Sequence, residues 1–325
     1  MCIRDSYSTG VTPNNLFYRC DSYNNAGINS YSYGNADGFG CHPSPGSTNN
    51  ILRECRSWNN SDDGYDCINA AEPVTFDHCW SCMNGNNGGN GNGFKIGGWA
   101  STDQNQIPDP IPAHIVFNCL AADNLAEDGF YMNHQPAGPG APTAWTNNTS
   151  YDNPGGADFD MLQRNPPDYA TNADQTDSND ISGTNVLAVC NLAFGGTLLG
   201  DMGSDETTAS PLCISNSWSI GYTSSALDFV STDYTQMTNA RAADGSLPVI
   251  TFMHLVPGDP LTGLGCFLVP PAPTGLTGTG SNTLVALSWT ASPGATGYNV
   301  YPVSYTHLDV YKRQHLSSYL RWLAV

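Results

Sequence analysis

Basic side chains are scarce in this chain: ten Lys and Arg stand against 29 Asp and Glu, for a formal net charge of −19. The shortage excludes nucleic-acid binding through a basic face, which needs cationic side chains to displace counterions from phosphates. It also means that a polyanionic substrate would need a bridging cation. No apolar run is long enough to cross a membrane as a helix, and hydrophobic periodicity near 3.6 is rare. His42, His78, His114, His134 and His254 share no motif. Cys79-Trp80-Ser81-Cys82 invites a redox dithiol or zinc reading, but no second cysteine pair stands at zinc spacing. Disorder would suit an acidic, Gly- and Asn-rich composition, but short, regular aromatic and aliphatic segments argue for a folded chain.

The two ends read as one DNA string. GATGTGTATAAGAGACAG translates as Asp-Val-Tyr-Lys-Arg-Gln, the residues at 309–314, and one base out of phase as Met-Cys-Ile-Arg-Asp, the residues at 1–5. Its reverse complement encodes Val303 to His307. Such an inverted repeat resembles a sequencing-library transposon end, so residues 1–6 and 303–325 are set aside and Met1 is not taken as a natural start. Residues 7–302 then hold six basic and 27 acidic side chains, a net −21, and Lys95 is their only lysine.

What is abundant is a repeat. Leu16-Phe17-Tyr18-Arg19-Cys20 is followed five residues later by Asn25, and Ile51-Leu52-Arg53-Glu54-Cys55 by Asn60. Cys79, Cys119 and Asn148 lead in the same way to Asn84, Asn124 and Asn153, and the run ending at Cys190 reads as a further rung. Strand-length runs of one type, separated by unequal insertions, predict an all-β solenoid, best a parallel β-helix. A β-sandwich would join alternating strands by hairpin turns, which the long, unequal connections here fit less well. Equivalent positions on successive coils should lie about 4.8 Å apart, with cysteines packed as small hydrophobes and asparagines forming an amide ladder. The solenoid is expected over residues 7–268. After the stiff Pro270-Pro271-Ala272-Pro273 linker, Leu284 to Trp289 and Ala295 to Tyr301 resemble the opening strands of a fibronectin type III module, a β-sandwich cut short at 302.

A second alignment carries the chemistry. Asp37-Gly38-Phe39-Gly40, Asp63-Gly64-Tyr65-Asp66, Asn92-Gly93-Phe94-Lys95 and Asp128-Gly129-Phe130-Tyr131 are versions of one element. The glycine is expected to permit a turn and the aromatic to point inward. Stacking would place Asp37 beside Asp63 and Asp66 beside Lys95, with Asp62 adjoining. Carboxylates so gathered repel unless neutralised or protonated; calcium, with six to eight oxygen ligands and tolerant geometry, suits them better than magnesium or zinc. A purely structural calcium joining two coils is the plain alternative. A lone lysine beside the acids favours catalysis, although its ordinary pKa near 10.4 makes it a poor base until something lowers it.

The segment from Asp37 to Lys95 resembles the calcium and base region of the family-nine polysaccharide lyases, pectate lyases built as right-handed parallel β-helices. The likeness extends over roughly residues 16–265, without the family's N-terminal coils; Arg241 to Pro248 resembles its closing segment. The resemblance implies Asp37, Asp62, Asp63 and Asp66 as calcium ligands and Lys95 as the base. It implies β-elimination of α-1,4-linked galacturonate: the ion binds the C6 carboxylate, Lys95 removes the C5 proton and the C4–O bond breaks. Arg56 and Arg164 could grip substrate carboxylates or serve structure. Tyr131, next in the Asp66–Lys95 row, could line a subsite or simply pack. A secreted, monomeric enzyme acting on pectate (polygalacturonate) is expected, with no nucleic-acid or membrane partner. The other readings are a β-helix glycoside hydrolase, using an Asp pair and releasing saturated ends, and a non-catalytic calcium-stabilised adhesin or glycan-binding module.

Overall fold

A computed structural model of the chain describes residues 11–27, 33–99, 108, 110–136, 143–161, 163–164, 186–196, 213–267, 274–280, 285–290, 298–301 and 321–324. They fall into two compact units, Met1–Phe267 and Leu268–Val325. In the first, each coil starts with a short strand that ends at a left-handed residue. Arg19, Glu54, His78, Asn118 and Asn147 hold this corner at φ of 50–58°, a region that costs L-residues energy. Each is held there by its amide, which donates to the carbonyl of the next coil at 2.9–3.2 Å.

Three long parallel sheets result, together with a two-stranded parallel pair, Gln135–Pro136 with Gln163–Arg164. Leu16–Tyr18, Asn50–Arg53, Val74–Asp77, Ile115–Phe117, Thr143–Thr146, Val186–Val189 and Cys213–Ile214 form the first; the second starts at Asp21–Tyr23 and ends at Leu192–Phe194. The third stacks Phe39–Gly40, Tyr65–Asp66, Phe94–Lys95, Phe130–Tyr131 and Phe159–Asp160. Every strand pairs with its counterpart one coil away, which makes the unit a parallel β-helix, and parallel crossovers take the right hand. Among the described residues no helix is long and apolar enough to span a membrane.

The interior is filled by columns, as the repeat predicts. Phe39, Tyr65, Phe94, Phe130 and Phe159 stack with ring centroids 4.7–5.1 Å apart, and Phe76 and Trp145 meet this stack edge-on. Cys55, Cys79 and Cys119 fill one corner beside them. At the next corner the Nδ2 of Asn60, Asn84 and Asn124 donates to the Oδ1 of the asparagine one coil on, at 2.9–3.0 Å. The last rung differs from expectation. Thr146 pairs with Val189, so Asn191, not Cys190, continues the cysteine column; Asn148 donates to Asn191 and Asn191 to Asn216, each at 3.0 Å. Cys190 occupies the left-handed corner at φ 56°. Nor do Cys79 and Cys82 form a dithiol: they lie on opposite faces of the wall, in separate apolar clusters.

Asn153 ends its column, because its partner on the following coil is a glycine, Gly196, and no amide is there to receive it. Asp158 takes over, accepting from Asn153 Nδ2 at 2.9 Å and Ser150 Oγ at 3.0 Å. Residues 226–267 then fold back over the outer face of the second sheet. Phe229, Met237, Ile250, Phe252 and Leu261 pack there with Trp80, Leu120 and Leu192. The second unit contains two antiparallel pairs, Thr274–Gly280 with Val285–Thr290 and Tyr298–Tyr301 with Arg321–Ala324.

Candidate metal and catalytic centre

The third sheet brings the acidic segments into register. Gly40 pairs with Asp66, Asp66 with Lys95, Lys95 with Tyr131 and Tyr131 with Asp160. The glycine inside each element is required for a reason other than a turn: Gly38, Gly64, Gly93 and Gly129 are not left-handed. A Cβ on Gly64 would lie 2.0 Å from Ser81 Oγ and 2.6 Å from the Gly93 carbonyl oxygen, and the other three face the same crowding. Close approach of coils selects glycine here and lets the flanking acids converge.

Asp37, Asp63 and Asp66 converge with carboxylate oxygens within 4.8 Å of one another. Lys95 Nζ lies 3.1 Å from Asp63 Oδ2 and 3.7 Å from Asp66 Oδ2. Asp62 adjoins this triad without entering it; its Oδ1 accepts from Asn90 N at 2.8 Å. Asp63 Oδ1 is taken by Asn92, whose backbone N–H and Nδ2 both donate at 2.8 Å. Asp63 Oδ2 is buried, and among the described residues the Lys95 ammonium at 3.1 Å is its one polar partner. Sequence reasoning missed the parts played by Asn90 and Asn92. The available signal was an Asn in the column where two preceding coils carry Asp.

Charge and burial act together at this centre. Burial, then repulsion from Asp66, Asp63 and Asp62, holds the Asp37 carboxyl well above its ordinary range. Burial followed by Asp63 pushes Asp62 up to about 7, and burial raises Asp63 despite the nearby Lys95. For Lys95, burial favours the neutral amine, but the charges of Asp63, Asp66 and Asp62 outweigh it and raise the group well above its ordinary value. Without an added cation, then, the lysine is an ammonium that partly neutralises the acids. The donor set fits a hard cation: all oxygen, clustered, and containing one buried carboxylate oxygen that only the Lys95 ammonium approaches among the described residues. A doubly charged ion among these oxygens would also weaken the field that keeps Lys95 protonated.

The other expected site residues divide. Tyr131 lies one coil beyond Lys95 in the same row, half-buried, its ring edge-on to His134 with centroids 5.6 Å apart. Arg56 is not brought to the centre. It is on the second sheet, donating to both oxygens of Asp21 and to the carbonyls of Met237 and Asn239 at 2.7–2.9 Å. There it fastens the returning segment, a reason for an arginine that involves no substrate. The backbone of Arg164 pairs with Pro136, and its side chain lies outside the described residues.

Comparison with known proteins fits this architecture. Residues 3–179 match the family described as Pel9A-like, right handed beta helix region. Pectate lyase L of Dickeya dadantii is 31% identical over 274 residues, covering 79% of this chain and 54% of the relative. Pectate lyase PEL9 of Emericella nidulans is 35% identical over 178 residues, 46% of this chain and 40% of the relative. Among solved structures, a rhamnogalacturonan lyase superposes with a TM-score of 0.65 at 29% identity, covering 78% of this chain and 61% of that one. The crystal structure of pectate lyase Pel9A gives 0.56 at 26%, with 79% and 60% covered. The chain thus spans about half the length of the curated relatives it matches.

Proposed function

The chain belongs to the Pel9A-like right-handed β-helix family, and on that footing we propose that it is a calcium-dependent polysaccharide lyase cleaving pectate by β-elimination. The observation that carries the reading is the buried Lys95 amine 3.1 Å from Asp63 and 3.7 Å from Asp66, within a cluster of carboxylates. Asp37, Asp63 and Asp66 would hold the ion, with Asp62 alongside. A calcium ion bound there supplies neutralisation of a uronate carboxylate and acidification of the neighbouring C5 proton. Asp63, fixed by Asn92, holds Lys95 where its Nζ can accept a proton from a sugar lying across the third sheet. The neutral amine is the competent base; the acids that keep it charged in the free protein must therefore be offset before it works. As the C5–H electrons form the C4–C5 double bond, the C4–O bond breaks, its electrons leave with the oxygen, which takes a proton to become a hydroxyl, and no water adds across the cleaved bond. The row beyond Lys95, through Tyr131, follows the sheet axis and would line the next sugar.

Enzymes named pectate lyase and rhamnogalacturonan lyase among the relatives support an acidic pectic polymer as substrate. Secretion follows from that polymer as part of the same proposal, and residues 269–302 are taken as a fibronectin-type accessory module. The experiment is incubation of the protein with polygalacturonate, with calcium or with a chelator, followed by ultraviolet absorbance of unsaturated ends. Calcium-dependent absorbance is expected. Saturated reducing ends released in chelator would instead identify a hydrolase.

A further inference from the structure

Asp37, Asp63, Asn92 and Asp128 form one column across four coils, and each links to the next in the same way. The Oδ1 of each accepts the backbone N–H of the next member: Asp37 from Asp63 at 3.2 Å, Asp63 from Asn92 at 2.8 Å, and Asn92 from Asp128 at 3.1 Å. Only Asn92 in this column has a side-chain donor to return. Its Nδ2 reaches back to Asp63 Oδ1 at 2.8 Å, giving that oxygen a second hydrogen bond. We infer that Asn92 is a positioning residue, orienting the Asp63 carboxylate so that Oδ2 is delivered to the cation and to Lys95.

The physics lies in the asymmetry of one carboxylate. With two donors on Oδ1, rotation of the Asp63 group would break both bonds inside a wall where neither residue is exposed to water. Oδ2 faces the Lys95 ammonium at 3.1 Å and no other donor among the described residues, so it keeps lone pairs for a metal. An aspartate at 92 would place a further carboxylate against Asp63 and remove the returning donor; an asparagine separates Asp63 from Asp128 in the column and locks Asp63. Outer partners of this kind commonly change metal affinity by about 10–100-fold when lost. The inference rests on the cation-dependent lyase reading only for its catalytic consequence.

The test is calcium titration and kinetics of Asn92→Ala beside Asn191→Ala, an equally buried amide on a later coil that bonds to Asn216. Asn92→Ala is expected to bind calcium about 10–100-fold more weakly and to lose kcat with little change in KM, whereas Asn191→Ala keeps calcium affinity. The sequence has only two lysines, Lys95 and Lys312, so lysine side-chain nitrogen NMR gives a readout independent of metal and substrate. Asn92→Ala should shift the Lys95 signal in calcium-free protein. Should Asn92→Ala fail to fold, Asn92→Asp keeps the acceptor for Asp128 N and is read by the same signal. An unmoved Lys95 resonance with unchanged calcium affinity would overturn the inference. Wild-type protein that makes no unsaturated product, yet whose Lys95 signal responds to residue 92, would sink the lyase reading alone.

Discussion

Replacing Lys95 with methionine removes a charge while nearly keeping shape, and its effect should reverse sign with calcium. At an effective dielectric of about 20, a separation of 3.1 Å corresponds to about 5 kcal/mol of attraction to Asp63, with a comparable term from Asp66 at 3.7 Å. Desolvation takes back part of this, and removing one member of a buried pair typically costs about 3–5 kcal/mol. At about 2–4 °C per kcal/mol for a domain of this size, the calcium-free Lys95→Met protein should melt roughly 10 °C below wild type. The deficit should shrink as pH falls through about 7, where Asp62 protonates, because neutral acids no longer need the ammonium. Saturating calcium should close the gap, since the ion replaces the lost charge, and calcium should bind the variant more tightly than wild type. Lyase activity should fall by at least about 10²-fold, as expected for loss of a general base. The measurements are differential scanning calorimetry with and without calcium, calcium titration, and absorbance of unsaturated product. Equal melting of variant and wild type in chelator would refute the electrostatic argument; retained turnover would refute the assignment of the base.

Two further outcomes follow from residues away from the centre. Burial pushes Asp158 up to about 7 against the opposing bonds from Asn153 and Ser150. Its folded pKa therefore lies above the unfolded value near 3.9, so the stability it contributes is full below about 4 and lost as pH rises to about 7. Asp158→Asn should flatten that part of the Tm–pH curve relative to wild type; an unchanged difference between pH 4 and 8 would contradict it. Arg56→Met should leave Asp21 short of a partner and loosen residues 226–250, seen as faster limited proteolysis there. Activity per folded molecule should persist, whereas a large rise in KM would return Arg56 to a substrate role.

Most of the β-helix is legible in the chain because a solenoid writes its geometry as a repeat. A column needs one residue type per coil, so Cys20, Cys55, Cys79 and Cys119, or Asn60, Asn84, Asn124 and Asn153, can be aligned without coordinates. The reading fails where a rung is spaced differently. Val186–Val189 is one residue out of phase with its apparent cysteine, and Asn191 rather than Cys190 fits inside. The glycines of the acidic element were also visible, but their reason was not. Whether a glycine serves a turn or a close contact depends on the neighbouring coil, which is why Ser81 Oγ had to be seen 2.0 Å from the missing Cβ of Gly64.

Composition and spacing alone determined that acids and a single lysine would share a wall of a parallel β-helix, since strand register is inherited coil by coil. Only the tertiary structure decided how those groups divide: three carboxylates converging, Asp62 alongside, Asp63 locked by Asn92, and Arg56 committed to the opposite task of holding the returning segment. The reason is that a repeat specifies which residues are neighbours along the axis, whereas side-chain orientation and burial are set by contacts from coils and segments distant in sequence.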